Sequence, residues 1–215
     1  MLSVPKTIPI SILSVHFVFT TVVGLAWSQE ATIDESSCVN CAKFPEQFLE
    51  IDESERLDLN ALPRERALDF LIGEWDIYYP DEDRAGYEVY SWFTQGKMIQ
   101  AFQEWIFFSK PGEIPWRGMS YYQYVPDQQR WHFNWVPGDN HGALYTGRVS
   151  DDGKEIIFFE NEISGDAKTL NLKPDMRYIL KNITRDSFLV ETTRTHDGGK
   201  TYTELRERLF YKKRS

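Results

Sequence analysis

The stretch GMSYYQYVPDQQRWHFNWV, Gly118–Val136, decides the fold because apolar and polar side chains alternate on both sides of one turn. One parity of its second half holds three aromatic residues, Trp131, Phe133 and Trp135. The other parity holds His132 and Asn134. Such alternation is typical of a strand with one buried face, and Pro126–Gln128 between the halves is turn chemistry. The stretch therefore predicts an antiparallel hairpin with an aromatic inner face.

The same period of two continues along the chain after Gly73. Segments rich in aromatic and β-branched residues recur, and turn sequences such as Gln95-Gly96 and Asp151-Asp152-Gly153 separate them. Strands joined by hairpins form a meander, and closure of a meander removes its two exposed edges. We therefore predict an all-β fold, an antiparallel up-and-down barrel of about ten strands. A β-sandwich is the alternative.

One stretch before the strands has helical spacing. In LPRERALDFLIG, residues 62–73, apolar residues recur at the spacing of a helix face. Pro63 suits a first helical turn and Gly73 can end the helix. The sequence predicts a short N-terminal helix that braces one end of a barrel domain over residues 63–215.

The N-terminal residues resemble an export signal. Lys6 precedes a long apolar run, and Ala26-Trp27-Ser28 provides the small-x-small pattern of a cleavage site. We predict a signal peptide over residues 1–28, a secreted or periplasmic protein, and no stable membrane insertion after cleavage. An uncleaved anchor is the alternative, because the run approaches the length that spans a bilayer.

Residues 29–62 are polar and acidic and are predicted to form an arm. Its SSCVNCAK motif contains both cysteines, Cys38 and Cys41. A C-x-x-C pair can be a disulfide, half of a zinc site or a redox pair. An oxidising compartment favours the disulfide, and we expect no metal site.

Composition narrows the classes of partner. The net charge is −9, which argues against a nucleic-acid backbone as the main partner. Aromatic residues make up 15% of the chain. The sequence has no P-loop, no dinucleotide fingerprint, no H-E-x-x-H and no G-x-S-x-G. We expect no cofactor, and the sequence leaves the oligomeric state and any enzyme activity open.

Four segments together carry a family resemblance: FLIGEWDIYY, GMSYYQYVPDQQRWHFNWV, DDGKEIIFFE and TTRTHDGGKTYTELRERLFYKK. In this order they resemble the bacterial calycin-like, or lipocalin-like, β-barrel family of unknown function, over about residues 65 to 213. The resemblance implies a closed barrel with a ligand-sized interior and assigns no catalytic residue. Haem-binding relatives of this barrel use a histidine near the C-terminus, but His196 falls in a predicted turn here.

Strand parity selects candidate lumen residues. The apolar faces of the predicted strands carry aromatic side chains that are either core or the wall of a ligand site. The predicted ligand-binding residues are Trp75, Tyr79, Tyr122, Trp131, Phe133, Trp135 and Tyr178.

Polar residues among apolar neighbours are the candidates for catalysis. Either Gln103 or Glu104 must point inward, and the same choice holds for Glu191 against Arg194 and for Glu207 against its flanking arginines. A buried carboxylate can act as a general acid or base, whereas outward ones form ion-pair ladders. The candidates are Glu104, His132, Glu191 and Arg194.

Three functions follow from this sequence. The first is a barrel that binds a small, partly apolar or aromatic ligand in its lumen. The second is an isomerase, cyclase or hydrolase in the same barrel that uses an inward Glu with Arg or His. The third is a glycan-binding module that uses exposed Trp and Tyr.

Overall fold

The computed structural model describes residues 51–80, 84–106, 116–137, 142–161 and 176–215. The predicted signal peptide, most of the acidic arm, and the cysteines Cys38 and Cys41 lie outside these ranges. Their roles stay predictions.

The described part of the chain forms a closed barrel. Each strand pairs antiparallel with its neighbours in sequence, and the first strand pairs with the last. This confirms the predicted all-β, antiparallel, up-and-down barrel and excludes the sandwich. The ten strands of the described ranges are β1 Gly73–Tyr78, β2 Arg84–Thr94, β3 Met98–Trp105, β4 Trp116–Val125, β5 Arg130–Pro137, β6 Ala143–Val149, β7 Ile156–Asn161, β8 Met176–Lys181, β9 Ser187–Arg194 and β10 Glu204–Lys213.

Alternation sets the inner face of the barrel, as the opening hairpin predicts. On β5, Trp131 and Phe133 are buried, whereas Asn134 is exposed and His132 is half-buried. The strand pairs β4–β5 and β5–β6 are in register over this stretch, so Phe133 lies opposite Tyr122 on one side and Tyr145 on the other. Directly opposed residues share a face of the sheet. The lumen of this region is therefore aromatic.

Closure joins the two ends of the described barrel. Trp75 of β1 lies opposite Lys213 of β10, and Ile77 lies opposite Tyr211. The ammonium of Lys213 lies 5.3 Å from the centre of the Trp75 ring, within cation–π range. The pairing also removes the free sheet edges that would otherwise template aggregation.

Short 3₁₀ helices, rather than the one short helix predicted within residues 62–73, precede β1. Two tryptophan side chains explain the difference. The indole N–H of Trp131 donates to the Arg64 carbonyl at 3.1 Å, and that of Trp75 donates to the Leu71 carbonyl at 2.6 Å. The segment thus bonds to the barrel instead of completing a longer helix. The 3₁₀ helices are Leu59–Ala61, Arg64–Arg66 and Asp69–Leu71.

This segment covers one end of the barrel. The backbone N–H of Leu57 donates to the Ile183 carbonyl at 2.8 Å, and that of Leu59 donates to the Gly153 carbonyl at 3.1 Å. Phe188 packs edge-on against Trp75, with ring centres 4.8 Å apart. We term this region the covered end, comprising Leu59, Leu68, Leu71, Trp75, Trp131 and Phe188, all buried.

Within the described residues, none of the helices has the length and apolar character required to traverse a bilayer.

Candidate functional site

A cavity of about 210 Å³ lies in the lumen. Residues of eight strands form its wall, and their side chains are aromatic, aliphatic and acidic. They are Glu88, Gln103, Trp105, Phe133, Trp135, Tyr145, Glu160, Met176, Tyr178, Thr192, Glu207, Leu209 and Tyr211.

The aromatic part of the wall centres on Phe133. Its ring stacks on Tyr145, with centres 4.8 Å apart and planes 16° from parallel. Tyr178 lies 5.9 Å from Phe133 at an angle of 49°. Trp135, nearer the strand end, lies 5.7 Å from Trp116. Phe133 carries a second stacked ring, 4.4 Å away, so this part of the wall is a packed aromatic cluster.

Glu88 of β2 is the most deeply buried polar group of the wall, at 1% exposure. It accepts hydrogen bonds from the Gln103 amide at 2.9 Å and from the Tyr211 hydroxyl at 3.3 Å. The Tyr90 hydroxyl donates a short hydrogen bond to its other oxygen. Burial raises the pKa of Glu88 to about 7, and the charge of Glu207 adds to the rise, although the three hydrogen bonds oppose it.

Gln103 links this carboxyl to the aromatic wall. Its carbonyl oxygen accepts from the Trp135 indole N–H at 2.9 Å, while its amide nitrogen donates to Glu88. Both ends of the amide are therefore used, and this fixes its orientation. The result is a pre-organised chain from Trp135 through Gln103 to Glu88.

Glu207 of β10 is the second inward carboxyl. It lies opposite Thr192 of β9, next to a register shift at Leu205. Burial raises the pKa of Glu207 to about 7. No hydrogen bond or ion pair joins its side chain to another residue of the described ranges. Glu207 therefore presents an uncompensated carboxyl to the cavity.

The arginines beside Glu207 are both bonded to carboxylates other than Glu207. Arg208 donates to Glu191 at 2.9 Å, and Arg206 donates to Glu204 at 2.7 Å. On this strand Glu207 lies on the cavity wall, and neither flanking arginine lines the cavity. The charged residues of the cavity wall are three glutamates, Glu88, Glu160 and Glu207.

The predicted ligand-binding residues divide into two groups. Phe133, Trp135 and Tyr178 line the cavity. The other four pack in the hydrophobic core instead: Trp75, Tyr79, Tyr122 and Trp131. Contact of any of them with a ligand stays a prediction.

Three of the predicted catalytic candidates lie on the outer face. Glu104 pairs with Arg117 at 3.2 Å. His132 is 2.7 Å from the Gln128 side chain. Neither lines the cavity.

Glu191 is bound in an ion-pair cluster on the outer face. Its carboxyl lies 2.5 Å from the Lys181 ammonium and 2.9 Å from Arg208. Burial acts to raise the pKa of Glu191, but the two cations hold it below its usual value. The fourth candidate, Arg194, lies opposite Met176, which lines the cavity, and so shares the inner face. His196, the C-terminal histidine, is exposed and pairs with Glu204 at 2.5 Å.

The sequence reasoning missed Glu88. In YEVYSWF it shares parity with Tyr90 and Trp92, both large aromatic residues, and that parity was a usable signal for an inward position. For Glu207, the sequence left open whether this residue or its flanking arginines point inward. Glu160 is inward because it lies opposite Tyr145.

No protein-family model matches this chain, and no curated protein has a significantly similar sequence. The closed ten-strand antiparallel barrel of the described residues is consistent with the calycin-like architecture. No group of three or more His, Cys, Asp or Glu side chains that could hold a metal ion occurs in the described ranges.

Proposed function

We propose that this protein is an exported calycin-like barrel that binds a small, partly apolar or aromatic molecule in its lumen. The observation that carries the proposal is the cavity of about 210 Å³, whose wall combines tilted aromatic rings with converging polar groups. Ligand sites commonly have this composition, a mainly apolar wall with a few placed polar groups that orient the ligand. The apolar rings would hold the body of the ligand, and Glu88, Gln103 and Glu207 would hold its polar end.

Pre-organisation supports binding at this location. Gln103 is fixed between Trp135 and Glu88 before any ligand arrives. A ligand therefore meets polar groups whose side-chain entropy is already lost, and less affinity is spent on ordering them.

Native mass spectrometry of protein purified from its source tests the proposal. We expect an additional small-molecule mass on the wild-type chain. Thr192→Phe, which places a ring in the cavity, should lose that mass. Gln123→Phe places the same ring on the exposed outer face of β4 and should keep it. Loss in both variants, or in neither, would contradict a lumen site, provided that circular dichroism shows all three chains folded.

Export rests on the pattern of residues 1–28 and is tested separately. N-terminal sequencing of the exported protein should begin at Gln29, after Ala26-Trp27-Ser28. A start at Met1 would favour a membrane anchor.

A lumen enzyme is the second candidate, favoured by the two carboxyls with pKa values of about 7. At neutral pH one of Glu88 and Glu207 can be protonated while the other is ionised, which is the requirement for paired acid and base catalysis. Incubation of the co-purified molecule with fresh protein distinguishes the two functions. A carrier returns it unchanged, whereas an enzyme converts it, and Glu207→Gln slows that conversion.

The outer face provides less support for glycan binding. Phe93 and Tyr121 are neighbouring aromatic residues there, but their rings meet edge to face, at 88°. Glycan binding by stacking uses coplanar rings on a flat surface.

A further inference from the structure

We propose that the lumen ligand carries a cationic group, a protonated amine, that lies between Glu88 and Glu207. This inference rests on the proposed lumen binding and specifies the chemistry of what is bound there.

The first argument is the arrangement of charge. On β10 the sequence Arg206-Glu207-Arg208 could place either sign of charge inside, and the barrel places Glu207 on the cavity wall. Arg208 is bonded to the outer-face carboxylate of Glu191, and Arg206 is bonded to Glu204 at the strand end. Glu88 on β2 and Glu160 on β7 bring two further carboxyls to the same wall.

The second argument is that Glu207 has no partner. Glu207 is half-buried, and a carboxylate partly removed from water is stabilised by a hydrogen-bond donor or a cation beside it. Glu88 has three donors, namely Gln103, Tyr90 and Tyr211, whereas no described residue donates to Glu207. Its carboxyl faces the cavity, so the compensating group is expected there, on the ligand.

The third argument is mutual repulsion. Glu88 and Glu207 line the same cavity, and the charge of Glu207 raises the pKa of Glu88. A single cation between them would compensate both negative charges. The apolar side chains beside this space, Phe133 and Tyr178 among them, favour an organic ammonium ion over a bare inorganic cation, because they can cover an apolar body.

The surroundings of the two carboxyls determine the effect of pH. Other acidic and phenolic groups on the inner face are Glu160, Tyr90, Tyr122, Tyr145, Tyr178 and Tyr211. At the strand end, Arg194 and Glu204 lie opposite each other. The phenols of Tyr90 and Tyr211 have pKa values raised well above their usual range by burial, so they stay neutral donors near pH 7.

An ammonium ligand requires ionised carboxyls, and these ionise near pH 7. Below that pH a ligand must displace a proton to bind. Affinity should therefore rise about tenfold between pH 6 and pH 8 for each carboxyl that must ionise.

Benzylamine and benzyl alcohol are matched probes, since they differ in one charged group and benzylamine stays protonated over this range. Chemical-shift titration by NMR should show benzylamine in the cavity, bound at least tenfold more tightly than benzyl alcohol at pH 8. Glu207→Gln should lower the affinity for benzylamine at least tenfold and leave the affinity for benzyl alcohol unchanged. Glu104→Gln removes an outer-face carboxyl that is already paired with Arg117, and it should change neither affinity.

The outcomes separate this inference from the proposed function. Equal affinities for the two probes, or an affinity for benzylamine that Glu207→Gln does not change, would overturn the inference of a cationic ligand. The proposed lumen site would still stand. Absence of any shift at Phe133 and Tyr178 with either probe would overturn both proposals. Displacement of benzylamine by equimolar calcium chloride would assign a metal ion instead of an amine and would also overturn the inference.

Discussion

The covered end and the cavity are built from the inner faces of the same barrel, yet they treat polar groups differently. At the covered end, the indole N–H groups of Trp75 and Trp131 donate to backbone carbonyls of the N-terminal segment. At the cavity, Glu88 gathers side-chain donors and Glu207 has none among the described residues. The first arrangement pairs both buried indole donors and serves stability. The second leaves a carboxyl uncompensated, which is expected of a site that a ligand completes.

The largest effect should come from truncating a ring at the covered end. Trp131→Ala should lower the free energy of unfolding by about 3–5 kcal/mol, because the ring is 2% exposed and its hydrogen bond to Arg64 is lost. Trp135 lies on the cavity wall, so Trp135→Ala should lower the free energy of unfolding by less than half as much as Trp131→Ala. It should weaken ligand binding instead. Chemical denaturation of both variants measures the contrast, and equal losses would remove the distinction between the two regions.

The next effect is a pH dependence of stability from Glu207. Its pKa rises from 4.5 to about 7 on folding, so between these values the native carboxyl keeps a proton that the unfolded chain has released. The contribution of Glu207 to the free energy of unfolding is thus fully present below pH 4.5 and is lost as the pH rises through 7. Between pH 4 and pH 8 the wild-type protein should lose about 3 kcal/mol more than Glu207→Gln. Urea denaturation across this range provides the measurement, with Glu104→Gln as the control, and parallel wild-type and Glu207→Gln curves would show that Glu207 is solvated.

A glycine in the lumen marks where free space ends. A Cβ at Gly147 would overlap the Phe158 ring, and Gly147 lies opposite Trp131. Gly147→Ala should therefore destabilise the protein by about 1–3 kcal/mol through overpacking. Gly142→Ala is the matched control, because its Cβ would meet the Trp135 carbonyl at an ordinary 3.4 Å. If Gly147→Ala leaves the thermal stability unchanged, the cavity extends further into the barrel.

The smallest effect is expected on the outer face. Arg117 and Glu104 form an ion pair at 3.2 Å with the arginine 58% exposed. Arg117→Met should change the free energy of unfolding by less than about 1 kcal/mol, since water screens such pairs. A larger loss in a denaturation experiment would show that the outer face contributes to stability as the covered end does.

The barrel was predictable from the sequence because its signals are local. The alternation of Trp131, Phe133 and Trp135 and the turn at Pro126–Gln128 each depend on residues within a few positions, and the structure contains both. Short 3₁₀ helices stand where the sequence predicted one short helix, and the Trp131 indole, from the distant strand β5, binds a carbonyl of that segment.

The chemistry of the site was less predictable because it depends on contacts between distant residues. The hydrogen bond from Tyr211 to Glu88 joins positions 123 residues apart. Parity limited β10 to a choice between Glu207 and its flanking arginines, but only the closed barrel decides that choice. It also decides that Glu104 and Glu191 have cationic partners outside while Glu88 and Glu207 face the cavity.

The titration of Glu207 tests the central claim most directly, since the contrast between the two regions depends on an uncompensated carboxyl. The side-chain carboxyl ¹³C signals of glutamate-labelled protein, assigned with Glu207→Gln and Glu88→Gln, should show two groups that titrate with midpoints near pH 7. Addition of benzylamine should move both midpoints downward. Midpoints near 4.5 without ligand, the ordinary value for glutamate, would show that the carboxyls are fully hydrated or already paired, and would contradict the account.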